Sequence, residues 1–98
     1  MNVTARSPSF IGKLTTGNPL DQTFRVTDTN DVTWKIRNAD LTPWLSVTPN
    51  GCFGDGIFTI SVNIYDPNVI IGTQTGRLFI ESLNPLIIIT VSLTVTAT

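Results

Sequence analysis

The sequence predicts an all-β fold built from short strands, and three observations carry that reading. Valine, isoleucine and threonine fill 35 of the 98 positions, alanine only three; side chains branched at Cβ lose rotamer freedom in a helix but pack well on a pleated surface. Phe58, Ile60, Val62 and Ile64 alternate strictly with Thr59, Ser61, Asn63 and Tyr65, the period-2 signature of a strand with one buried face. Clusters of Gly, Pro, Asn and Asp recur at intervals of about ten residues, the spacing of turns in a two-sheet domain. No window of helical length competes.

Phe10 to Leu14 reads as the first strand, closed by Thr16-Gly17-Asn18-Pro19, where glycine and proline suit a turn. Thr23 to Thr27 follows, with Phe24 and Val26 on one face. Asp28-Thr29-Asn30-Asp31 interrupts it, because short Asx side chains satisfy neighbouring backbone groups. Val32, Trp34 and Ile36 then resume an apolar face opposite Thr33, Lys35 and Arg37, and a hairpin is the economical link between the two strands. Pro43 lacks an N–H and pushes Thr42 toward extended backbone, marking the start of a strand over Trp44 to Val47. After the Gly54-Asp55-Gly56 loop comes Phe58 to Ile64, ended by Asp66-Pro67-Asn68. Gly72-Thr73-Gln74-Thr75-Gly76 leads into Arg77 to Glu81, with Leu78 and Ile80 inward. Past Asn84-Pro85, the last strand puts Ile87, Ile89, Val91, Leu93 and Val95 on one face. Leu86 to Val95 carries no charge, so this strand is expected between two neighbours; an open edge there would invite self-association. The sum is an immunoglobulin-like antiparallel β-sandwich of about seven strands.

The length suits one domain over residues 1–98, with 1–9 as a flexible lead. Strand chemistry running to the last residue reads as a module cut from a longer protein. The formal charge is −1 and the six basic residues are scattered, so a phosphate backbone gains little here and no nucleic-acid partner is expected. The longest apolar run, Leu86 to Ile89, is far too short to span a bilayer, and no membrane insertion is expected. Cys52 stands alone, so there is no internal disulfide; it reads as a small buried hydrophobe. With no histidine, Glu81 as the only glutamate, and no activating partner for Cys52, neither enzyme activity nor a cofactor is expected. Asp28, Asn30 and Asp31 match no full calcium loop and read as a solvated turn rather than a metal site.

In sequence order the chain presents Trp34-Lys35-Ile36, then Trp44-Leu45-Ser46-Val47-Thr48-Pro49 with Gly51, Ile60-Ser61-Val62, Gly72, Gly76-Arg77-Leu78 and Val91-Ser92-Leu93-Thr94-Val95. This series resembles the BACON-type immunoglobulin-like domains over roughly Val26 to Val95, and Trp44 to Gly51 is its most specific piece. The resemblance implies a binding or spacer module of a larger protein, on a bacterial cell surface or outside the cell, or in a phage virion. Its partners would be neighbouring domains of the same parent protein or its assembly, and glycans under the carbohydrate-binding role for which the family is named. The threonine-rich final strand departs from the Gln-terminated ending common in bacterial members and leans toward phage-type or divergent ones. A weaker likeness, of the sandwich alone, links the strand order to ASH-type domains.

Two functional expectations follow. The leading one is a non-catalytic structural module that spaces, decorates or assembles. The alternative is a carbohydrate-binding module with exposed aromatics, for which Trp44, Phe53 and Tyr65 are the candidate ligand-binding residues. An indole or phenyl face stacks on the apolar face of a pyranose ring. Trp34 shares parity with Val32 and Ile36 and reads as core. Phe53, Tyr65 and Phe79 fall in loops or off the apolar parity and are the aromatics expected at the surface.

Overall fold

The computed structural model describes residues 2–4, 6–27, 29, 32–82 and 86–97. Among these, nine strands run in order: β1 (Asn2–Val3), β2 (Ser9–Lys13), β3 (Gln22–Thr27), β4 (Thr33–Asn38), β5 (Leu45–Thr48), β6 (Gly51–Phe53), β7 (Gly56–Val62), β8 (Gly72–Glu81) and β9 (Ile87–Thr96). They form a four-stranded sheet ordered β1-β3-β7-β5 and a five-stranded sheet ordered β2-β9-β8-β4-β6. The fold is therefore all-β, a sandwich in which β3, β7 and β5 hold the places of immunoglobulin strands B, E and D, and β9, β8 and β4 those of G, F and C.

The alternation read from the sequence becomes the core. Phe24 and Val26 of β3, Trp34 and Ile36 of β4, Phe58, Ile60 and Val62 of β7 and Leu78 and Ile80 of β8 are buried between the sheets. So are Ile87, Ile89, Val91, Leu93 and Val95 of β9. Burying each such side chain contributes roughly 1.5–3 kcal/mol, and a one-residue slip of β9 would turn all five of its residues to solvent. The aromatics meet at the centre: Phe24 and Phe58, opposite one another on paired strands, stack at 5.5 Å between centroids, and Trp34 meets Phe58 from the other sheet edge-on at 6.3 Å. As its lack of charge demands, β9 lies between β2 and β8.

Several expectations are corrected. There are nine strands rather than about seven, because β1 and β6, of two and three residues, are too short to show a period. Residues 2–3, read as part of a flexible lead, pair with Thr27 and Val26 of β3. The sandwich is not wholly antiparallel: Ser9–Lys13 runs parallel to Ser92–Thr96 of β9, and alternation carries no information about direction. β3 and β4 are not a hairpin but belong to opposite sheets. Within their connection Thr29 is buried, and its N–H and hydroxyl both donate to Asp55 Oδ1, at 3.3 and 2.9 Å. Asp28, Asn30 and Asp31 lie outside the described residues, as does the turn expected at Asn84-Pro85. β8 starts at Gly72 instead of Arg77, and β7 ends at Val62 although Ile64 stays buried in the following turn.

The Trp44 to Gly51 segment is a corner. β5 lies in one sheet and β6 in the other, and the chain crosses between them through a cis Thr48-Pro49 bond and Asn50, whose carbonyl accepts a 2.7 Å hydrogen bond from the Ile36 N–H. Gly51 then passes so close to β4 that a Cβ on it would lie 2.7 Å from the Trp34 carbonyl oxygen. Backbone cannot yield as a flexible side chain would, so Gly51→Ala is expected to lower unfolding stability by about 1–3 kcal/mol. A shift of the urea midpoint at unchanged slope is the measurement.

Candidate functional site

The long axis of the sandwich has two distinct ends. At one, β1 begins and the β6–β7 turn reverses; at the other, Thr96 leaves β9 beside Lys13 and the Gly72 end of β8. Phe53 stands at the first end, exposed over two thirds of its surface at 66%. Tyr65 lies beyond the far end of β7, 55% exposed, with its hydroxyl donating to the Leu14 carbonyl at 3.0 Å. The two therefore share no patch. Trp44 is no platform at all: it is 5% exposed. Its parity misleads because it precedes β5 at the corner, where strict alternation has not begun, and Trp44 and Leu45 both turn into the core. Cys52 is half-buried and packs against the core beside Gly56.

What the strands do bring together lies on the outer face of the five-stranded sheet. Pairing sets the side chains in rows: Phe53 opposite Thr33, then Gly51, Lys35 and Glu81, then Arg37 and Phe79 with Ile88 beyond. Arg77 follows on β8, opposite Thr90. Arg37 Nε donates to Glu81 Oε1 at 2.8 Å, and Arg77 reaches Asp40 through two bonds of 2.8 and 3.1 Å. These bonds hold the Asp40 carboxyl below the usual carboxylate range and raise Arg77 in turn. Both guanidinium groups lie over Phe79, at 5.0 and 5.6 Å from its centroid. The ring of Phe79 is thus covered by cations, while that of Phe53 is open.

Beside Phe53 the surface dips into a shallow groove of about 690 Å³, with Gly51 leaving bare backbone in its floor and Lys35, Arg37, Asn50 and Glu81 around it. The sequence showed only Lys35 and Arg37 on one face; Arg77 and Glu81 join them because β8 runs antiparallel beside β4. Pairing register was the missing signal. An open aromatic ring next to hydrogen-bonding and charged side chains can hold a polar ligand that has an apolar face.

No protein-family model and no curated protein matches the chain. Solved structures do. A Bacteroides ovatus GH5 xyloglucanase, solved in complex with a XXXG heptasaccharide, superposes over 97% of this chain with a TM-score of 0.75 at 18% identity. The Pseudomonas aeruginosa CupB2 chaperone covers 95% at 0.65 and 17% identity, and the CooA pilin subunit of enterotoxigenic Escherichia coli 96% at 0.50 and 13%. The chain spans 19% of the xyloglucanase, 54% of the chaperone and 91% of the pilin. At these identities the likeness is one of fold, an immunoglobulin-like sandwich.

The contrast between the aromatics is measurable. Trp44→Ala should cost about 3–5 kcal/mol by opening a core cavity, whereas Phe53→Ala should stay within about 0.5 kcal/mol, both read from urea denaturation midpoints.

Proposed function

We propose that the chain is a non-catalytic immunoglobulin-like module of the BACON type, which spaces and assembles within a larger cell-surface or virion protein. The polarity of the body carries this reading. The Cα envelope measures 45 × 21 × 17 Å, and Asn2 and Thr96 sit at its opposite ends, so chain entering at one end leaves at the other. Units linked in this way extend in line, each adding its long dimension. Leu20, Tyr65, Ile70 and Ile71 are exposed on the loops at the Thr96 end, and apolar side chains grouped in this way favour contact with a neighbour. The same sandwich occurs in a chaperone and in a pilin subunit, which supports the assembly role by analogy of fold. Two units in series should give small-angle scattering with a longest dimension of about 90 Å, twice that of one unit; a folded-back particle no longer than one unit would count against the spacer role.

A second reading has its own observation, the open ring of Phe53 beside the groove. It makes the module carbohydrate-binding through that face, without Trp44 and without Tyr65. An NMR titration of the ¹⁵N-labelled chain with oligosaccharides should then shift Gly51, Cys52 and Phe53 and lose those shifts in Phe53→Ala, while the signals around Tyr65 stay in place.

A further inference from the structure

We infer that the groove beside Phe53 selects acidic saccharides, with Phe53 as the stacking surface and Lys35 as the residue that reads the negative charge. This rests on the carbohydrate-binding reading above and gives that site its ligand class.

The charges on this face do not balance locally. Four of the chain's six basic residues project from it, Lys13 at the far end of β2 and Lys35, Arg37 and Arg77 on β4 and β8. Among the described residues, its two acids are both engaged: Glu81 takes Arg37 and Asp40 takes Arg77. Lys35 makes no hydrogen bond or ion pair among the described residues. It stands in the middle row, between the empty position at Gly51 and the Glu81 already bound by Arg37. The groove therefore offers one spare positive charge on a molecule whose net charge is −1. Phe53 lies on the same face two residues along from the partner of Lys35, a diagonal spacing of about 7–8 Å, close to the width of one sugar ring with its carboxylate. A ring stacked on Phe53 over the Gly51 backbone thus brings a carboxylate or sulfate on it within reach of the Lys35 ammonium. Asn50 and Thr33 supply neutral hydrogen-bonding groups at the margin.

A saccharide fits this geometry better than an acidic peptide. A peptide gains most by pairing its backbone along an open strand edge; the edge beside this groove is β6, only three residues long, so it offers a peptide little backbone pairing. Side-chain donors and an aromatic ring match the hydroxyls and C–H face of a sugar.

The test titrates the ¹⁵N-labelled chain with tetragalacturonate, hyaluronan tetrasaccharide, neutral cellotetraose and a hexaglutamate peptide, at up to 10 mM each in low salt. At least one acidic tetrasaccharide should shift Gly51, Phe53 and Lys35 and bind at least tenfold more tightly than cellotetraose and hexaglutamate. Lys35→Gln should weaken that binding about tenfold, and so should Phe53→Ala, with the Trp34 indole N–H signal unmoved as the check that the fold is intact. Equal binding of cellotetraose, unaffected by Lys35→Gln, would overturn the charge selection while leaving the carbohydrate reading in place. Hexaglutamate binding as tightly as the sugars would make the site a plain cationic patch and overturn it too. Silence from all four probes, or shifts confined to the Tyr65 end, would overturn both.

Discussion

The indole of Trp34 holds the sandwich together at its centre. It extends from β4 across the interior to meet Phe58 of the opposite sheet edge-on, and Phe58 in turn stacks on Phe24. Its Nε1–H donates a 2.7 Å hydrogen bond to the Gly54 carbonyl, which fixes the turn between β6 and β7. A buried donor left without a partner costs about 1–3 kcal/mol, so the turn and the ring are tied to one position. Two glycines make room for this arrangement. Gly51 lets β6 lie against the Trp34 backbone, and at Gly56 a Cβ would lie 3.1 Å from Cys52 Sγ and 3.5 Å from the indole. The short β6 strand exists because of that fit, and the groove beside Phe53 exists because of β6.

The outer face is organised by a different balance. Exposed ion pairs contribute little to stability singly, and Arg37–Glu81 and Arg77–Asp40 are both exposed. Their effect here is on orientation. With Phe79 between them, the two guanidinium groups are held over the ring, at 5.0 and 5.6 Å from its centroid. Among the described residues that line the groove, that leaves Lys35 as the charged side chain without an ion pair, beside the open ring of Phe53. Specificity on such a surface comes from what the fixed groups leave available as much as from what they bind.

How much of this could be read beforehand depended on whether the information was local. Period-2 alternation is local, and it placed Trp34, Phe58 and the odd-numbered residues of β9 in the core. It says nothing about which sheet a strand joins or which way it runs; hence β3 and β4 looked like a hairpin and the parallel pairing of β2 with β9 went unread. Trp44 looked like a candidate for stacking because its parity opposes Leu45 and Val47, but parity has no meaning one residue outside a strand. Exposure of Phe53 was legible from its place in a loop-rich segment. Its neighbours were not: Lys35, Glu81 and Gly51 are separated by 16 residues or more and meet only through register.

The parallel pair of β2 and β9 has a mechanical consequence. The chain approaches β2 from the β1 end of the body and departs from β9 at the opposite end. Tension between the two ends would pull the strands in opposite directions along their common axis, so the hydrogen bonds joining Ser9–Lys13 to Ser92–Thr96 would be loaded together, in shear, rather than opened one after another like a zipper. Bonds that share a load fail at higher force than bonds peeled in turn. The link least visible in the sequence is thus one that a stretched chain would load as a whole.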